Sequence, residues 1–351
     1  MTTETDLFID DTPTILSRSD MEQWARCPHS AHLMASGAAS NQSKPAEVGS
    51  AVHEVIAAAV AARADEGVSE VEMREMIREG AIRSRPDIQP DVIRAAGATW
   101  SIVQFITTQS DGQKRSPDDI LRFDGGKGAK TGQLGADLGT GENVVRLTCE
   151  VDLLMSTPST EEIELADWKS GWRHWTAMDV QASFQFSFYA YLVIRNYPTI
   201  NTVRVRVFLT RDGSATGAVE FRRKDMYALE KRIESTVNIW REHHSASDPA
   251  DVPAWPSPDK CGICPAATLC RFAHEPAADV ARDPEAAIRQ LVVLDTAAGQ
   301  LRSGLAKLVR ANGEDFQFEG GLCFGANKPV KARAKVCDVY SIRGEEKSTE
   351  E

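Results

Sequence analysis

The stretch that most constrains this chain is Glu162-Ile163-Glu164-Leu165-Ala166-Asp167-Trp168-Lys169-Ser170-Gly171, a short apolar run ending in an acid, a spacer and a lysine. A strand sends alternate side chains to one face, so Asp167 and Lys169 emerge side by side at its end, a carboxylate for a metal and an amine for a water. Such a pair is common by chance and usually a solvated surface pair. Its company gives it weight: His53 upstream, Asp152 on the preceding strand, Gln185 and Tyr189 downstream, and Cys27, Cys261, Cys264 and Cys270 at the two ends of the region.

Around that run the order of elements reads as α/β. Ser19-Asp20-Met21-Glu22 is a capping box for a helix that carries Met21 and Trp24 inward and stops before Cys27-Pro28. Gly49 to about Glu66 is an alanine-rich helix with Val52, Ile56 and Val60 at helical spacing, and His53 lies one position off that stripe. Ser69 and Glu72 cap a helix through about Arg83, and Pro90 opens another running to about Thr107. Residues 108–143 are polar and glycine-rich, the least ordered internal stretch, crossed by one short strand around Ile120 to Phe123. Val144 to Met155 and Glu162 to Lys169 read as an antiparallel hairpin, followed by a helix from Ala177 to Asn196. Then come a strand from Thr202 to Thr210, a turn at Asp212-Gly213, a strand from Ala218 to Arg222 and a helix from about Lys224 to His243. A proline-rich loop leads to the cysteine trio, and a helix from about Asp283 to Ala311 precedes a β-like tail from Phe316 to Ile342.

Charge narrows the partners. The net charge is −11, but residues 1–16 carry −4 and residues 344–351 carry −3, so the body is only mildly acidic. That weakens a nucleic-acid reading without excluding it. Lys331, Arg333 and Lys335 alternate with apolar residues, either as a basic strand face for DNA or as a solvated face. No apolar run is long enough to span a bilayer, and the acidic start differs from the basic one of a secretory signal, so the expected setting is the cytoplasm, with no membrane partner. The run Asp124-Gly125-Gly126-Lys127-Gly128 is not a phosphate loop, because no Gly-Lys pair is followed by Ser or Thr.

Hydrolysis of a phosphodiester needs a divalent cation at the scissile phosphate and a positioned, deprotonated water. Asp152 and Asp167 on neighbouring strands can converge on one hard ion, magnesium or manganese, with His53 as a third ligand and Lys169 beside the water. Taken alone, His53 is an ordinary helix histidine. Gln185 and Tyr189 lie one helical turn apart, either as groups that hold a nucleic-acid backbone beside the metal or as polar edges of a core helix.

Seven cysteines in such a chain are not a disulfide framework. Cys149 fits the core, and Cys323 and Cys337 look equally bland. Cys261, Cys264 and Cys270 have two and five residues between them, and a zinc site usually pairs two knuckles where this chain has one. An iron–sulfur cluster on Cys27 plus the trio fits better; zinc or unconnected thiols are the alternatives.

Gly49-Ser50-Ala51-Val52-His53, Val151-Asp152, Asp167-Trp168-Lys169-Ser170-Gly171 and Gln185-x-x-x-Tyr189, in that order, resemble the motif set of RecB-like nucleases in the PD-(D/E)XK superfamily. Cys27-Pro28 ahead of them and the trio behind resemble the iron–sulfur branch, which includes the AddB nuclease domain and CRISPR-associated RecB-like exonucleases. The resemblance implies a restriction-endonuclease-like core, a mixed β-sheet flanked by helices. It implies metal ligands at His53, Asp152 and Asp167, a catalytic Lys169, and a 4Fe-4S cluster stapling the chain ends around the nuclease core. Its domain reading is an acidic tail at 1–16, a nuclease domain at 17–275, a helix-plus-β extension at 276–342 and an acidic tail at 343–351. The expected activity is magnesium- or manganese-dependent cleavage of DNA, as an exonuclease on single strands in recombination, repair or phage replication. A separate helicase or recombination protein is the expected partner. The rivals are a DNA-end-binding assembly subunit with a structural cluster, as in CRISPR adaptation, and a zinc-stabilised scaffold.

Overall fold

The computed structural model describes residues 14–39, 44–66, 69–83, 87–108, 115–123, 131–139, 144–171, 173–275, 281–312, 316–317 and 323–324. The first thirteen residues, the glycine run at 124–128, the basic residues Lys331, Arg333 and Lys335, Cys337 and the acidic end at 343–351 lie outside them. The chain divides into two compact units, one of Met1–Ala25 and Gln42–Glu242, the other of Arg26–Asn41 and His243–Glu351.

The chain begins with β1 (Thr14–Ser17) and α1 (Arg18–Arg26), which buries Met21 and Trp24. Its cap lies two residues earlier than the expected Ser19 box. The Ser17 N–H donates to Asp20 Oδ2 at 2.9 Å and the Asp20 N–H donates to Ser17 Oγ at 3.2 Å, while Glu22 turns to Arg18. After α2 (Pro28–Ala35) come α3 (Lys44–Glu66), with Val52, Ile56 and Val60 buried, and α4 (Glu70–Ile82), capped by Ser69 and Glu72 as expected. The single helix expected from Pro90 is two, α5 (Gln89–Ala95) and α6 (Thr99–Thr107). It breaks where the Ala98 N–H donates to the Thr210 carbonyl at 3.2 Å, a tertiary bond in place of a helical one.

The strands are β2 (Ile120–Phe123), β3 (Gln133–Leu138), β4 (Val145–Glu150), β5 (Leu153–Ser156) and β6 (Glu162–Lys169). The run from Val144 to Met155 is therefore two strands, and they join different sheets: β4 lies between β1 and β3, whereas β5 pairs antiparallel with β6. Only β5 and β6 form the expected hairpin. The expected helix 177–196 is also split, into α7 (Ala177–Ala182) and α8 (Phe184–Asn196), at an extended Ser183. Then follow β7 (Thr202–Leu209), β8 (Val219–Arg222) and α9 (Met226–His243). Gly213, in the β7–β8 turn, has φ +74°, a conformation that favours glycine.

The five-stranded sheet runs β2-β5-β6-β7-β8, with β6 and β7 parallel and the other pairs antiparallel. One face, with Ile163, Leu165, Val203 and Val205, packs on Phe186, Phe188 and Leu192 of α8. The other, with Ala166, Trp168 and Phe208, packs on α3, α5 and α6 through Val52, Ile56, Val92 and Ile102. This is the expected mixed α/β architecture, with mixed sheets flanked by helices. The strand alternation sends Asp167 toward α8 and Trp168 into the opposite core.

In the second unit, α2 meets residues 249–251, with the His29 N–H donating to the Pro253 carbonyl at 3.0 Å. The short helices α10 (Pro258–Cys261) and α11 (Arg271–His274) lie against α12 (Pro284–Asn312), which buries Val293, Ala297, Ala306 and Val309. A pair of two-residue strands, β9 (Phe316–Gln317) and β10 (Cys323–Phe324), follows. Among the described residues no helix is long and apolar enough to cross a membrane.

Candidate active site and cysteine group

In the first unit, Asp152 occupies the bend between β4 and β5, where the backbone leaves one sheet for the other. Its Oδ2 accepts the Trp168 N–H at 2.8 Å and its Oδ1 lies 3.2 Å from His53 Nδ1. The other ring nitrogen, Nε2, donates to the Trp168 carbonyl at 3.1 Å, which fixes the ring and leaves Nδ1 facing the carboxylates. Asp167 is 1% exposed. Its Oδ1 accepts from Gln185 Nε2 at 3.0 Å, and Lys169 Nζ lies 2.8 Å from Oδ2. That ammonium is the charge partner of Oδ2, and no other donor among the described residues reaches this buried oxygen.

Gln185 is the junction. Its Oε1 accepts from Lys169 Nζ at 3.2 Å, and its Nε2 also donates to Tyr189 Oη at 3.1 Å. Placed in the first turn of α8 by the break at Ser183, it ties the acid, the amine and the phenol together. Tyr189 itself is buried and reaches the site through Gln185.

Burial and charge oppose one another here. Burial works to lower the His53 pKa, but the Asp152 carboxylate overrides it by charge and hydrogen bond and holds it raised to about 9. Burial raises Asp167, against the pull of Lys169, and burial pushes Tyr189 far up as well. Among the described residues, no three His, Cys, Asp or Glu side chains stand as a ready coordination sphere, neither His53, Asp152 and Asp167 nor the four cysteines of the second unit. The donor set nonetheless suits a hard divalent ion. Two carboxylates and an imidazole are neighbours, and Asp167 presents an oxygen with lone pairs to give.

Beside this network lies a pocket of about 550 Å³, lined by Arg18, Lys169, Arg173, Trp175 and Gln185 among others. Arg173 and Trp175 were not among the residues singled out from sequence. A signal existed: Thr176-x-x-Asp179 is a capping box directly after Trp175, which fixes an aromatic side chain next to the end of β6.

In the second unit Cys27, Cys261, Cys264 and Cys270 are unpaired thiols, each half-buried. The Trp255 N–H donates to Cys27 Sγ at 3.4 Å, the Ser257 N–H donates to Cys261 Sγ at 3.3 Å, and Ser30 Oγ lies 3.4 Å from Cys264 Sγ. Burial pushes the Cys270 thiol up to about 11, and Cys27, Cys264 and Cys261 are near enough to add to the rise. Cys149 belongs to the first unit's core, as expected, and burial pushes its thiol up to about 12.

A family model described as "PD-(D/E)XK nuclease superfamily" matches residues 15–271. A solved structure titled "Crystal structure of SSO0001" is 8% identical, covering 74% of this chain and 86% of its own, with a TM-score of 0.31. No curated protein matches the chain in sequence.

Proposed function

Because this chain belongs to the PD-(D/E)XK nuclease superfamily, we propose that it is a magnesium- or manganese-dependent deoxyribonuclease of the RecB-like, iron–sulfur branch. It acts as an exonuclease on single-stranded DNA, beside a separate helicase or recombination protein. The observation that carries this reading is the buried, incompletely satisfied Asp167 carboxylate held between Lys169 and Gln185, with Asp152 and His53 alongside.

His53, Asp152 and Asp167 would hold the metal. When bound, the ion neutralises the scissile phosphate and acidifies a water. The chain's own residues supply position. Lys169, pinned by Asp167 and Gln185, presents an ammonium that orients the attacking water in line with the phosphorus and steadies charge on the phosphoryl oxygens. Gln185 holds Lys169 and Asp167 in register with each other. Tyr189 fixes the far side of Gln185, and burial of this network keeps bulk water from competing with the positioned one.

The four thiols would hold the 4Fe-4S cluster. Supporting this are the electrostatic reach of Cys27, Cys261 and Cys264 to Cys270 and the backbone N–H groups aimed at Cys27 and Cys261, donors suited to anionic sulfur. Zinc is the competing occupant, and colour separates the two: anaerobically purified protein should absorb in the visible. The decisive test of the nuclease is cleavage of end-labelled single- and double-stranded DNA with each metal. If Asp167→Ala and Lys169→Ala both cut like wild type, this site is not where the chemistry occurs. If the wild type binds DNA ends and cuts nothing, the assembly-subunit reading takes its place.

A further inference from the structure

The pocket beside Lys169 has one wall that the hydrolytic chemistry leaves without a task. Trp175 stands on the loop after β6, half-buried, with its ring edge-on to the fully buried Phe186 at 5.5 Å and 75°. The next residue, Thr176, caps α7 reciprocally with Asp179, so both the ring and the backbone beneath it are fixed. The Arg173 guanidinium lies 4.7 Å over the ring and Lys169 Nζ lies 5.8 Å from its centroid. The Arg173 side chain is 64% exposed and is tethered to Asp179 at 2.5 Å, so it can leave the ring and still keep a partner. Across the pocket, Arg18 is held by Glu22 at 2.7 Å and stands within electrostatic range of Asp167 and Tyr189.

A rigid indole that already carries a flat cation suits a flat nucleobase, and the cations around it suit the attached phosphates. We propose that Trp175 is the stacking platform for the unpaired base next to the scissile phosphate, and that Arg18 holds the adjoining phosphate. This deepens the nuclease reading and rests on it. A base inside a duplex has both faces covered by its neighbours, so a platform of this kind admits a nucleotide only from a single strand or a frayed end. Stacking there fixes one nucleotide against Lys169 and Asp167, which makes Trp175 a positioning residue that also selects strand form.

The test is an abasic scan. A single abasic nucleotide is walked along a short single-stranded oligonucleotide, and KM, kcat and metal-free binding by anisotropy are measured for wild type, Trp175→Ala, Trp175→Phe and Arg18→Ala. In the wild type one position flanking the cut should weaken KM and binding by about tenfold, the scale of one base–aromatic stack. Trp175→Ala should lose the same factor on the intact strand and become indifferent to the abasic position, while Trp175→Phe retains most of the effect. Arg18→Ala should weaken binding at every sequence and flatten the salt dependence by about 0.7 in log–log slope. An abasic-sensitive position that persists in Trp175→Ala overturns the proposal, as does a wild type with no sensitive position. Because binding reads the stack without metal, wild-type protein that shows the sensitive position yet cuts nothing would sink the nuclease reading and leave the platform standing.

Discussion

At the end of β6, Asp152, His53, Lys169, Gln185 and Tyr189 all find partners within the protein, and Asp167 Oδ2 has the Lys169 ammonium as its single partner among the described residues. Around Cys27, Cys261, Cys264 and Cys270 the partners are the backbone N–H groups of Trp255, Ser257 and Phe272, one serine hydroxyl and burial. N–H bonds to neutral sulfur are weak, so the thiols contribute little to holding their own surroundings together. The first region is assembled by the chain itself and can lose its chemistry while keeping its shape. The second, under the cluster proposal, would draw its strength from a group held by the sulfurs.

The comparison breaks most sharply at Asp167 and Lys169. Replacing either by alanine should cut metal-dependent cleavage by on the order of 10²–10³-fold or more in the end-labelled assay, and Asp167→Ala should leave the thermal midpoint unchanged by calorimetry. A midpoint that fell with activity would show that the network holds the fold together. Next in size, Cys27→Ala should lower the thermal midpoint by on the order of 10 °C and bleach the visible absorbance, because a tightly bound group stabilises only the state that binds it. An unchanged midpoint would erase the contrast between the two regions.

Gln185→Leu keeps the bulk of the side chain and removes its bonds to Lys169, Asp167 and Tyr189. It should lower kcat about 10–100-fold, as loss of an orienting partner does, with KM little changed. A variant as active as wild type would mean that Lys169 needs no orienting. The smallest effects lie at the exposed cap of α7. Thr176→Ala should cost about 1 kcal/mol in urea unfolding. Its partner Asp179 is held down at about 2, chiefly by hydrogen bonds from Thr176 and then by Arg173. A carboxylate with a depressed pKa stabilises the fold above its unfolded value near 3.9, and that contribution fades as pH falls toward about 2. Asp179→Asn should therefore narrow its gap from wild type over that range, read as thermal midpoint against pH.

Most of what positions the site was legible in sequence, because local signals and tertiary outcome agree there. The alternation of β6, the stripe of α3 and the Ser69 cap each survive into the structure. Where they failed, a long-range contact decided. The break between α5 and α6 is announced only by Gly97 after the C-cap and is completed by a hydrogen bond to Thr210, more than a hundred residues away. Strand β3 buries only Leu134 deeply, so its sequence shows no alternation and the segment reads as loop. Conversely, Val144 to Met155 is apolar enough to pass for one strand, and only the different partners of β4 and β5 reveal the bend at Asp152. Gln185 and Tyr189 were visible as a spacing, but the link from Gln185 to Lys169 required α8 to begin afresh at Phe184.

That bend at Asp152 has a consequence for dissection by mutagenesis. One carboxylate oxygen pins the Trp168 amide and the other meets His53, so a single side chain braces the fold and also belongs to the proposed metal site. Trimming it to alanine would loosen the masonry where two sheets part company, and any lost turnover would be uninterpretable. Asparagine, whose carbonyl can still receive the Trp168 proton while the anionic charge is gone, is the swap that separates bricklaying from chemistry.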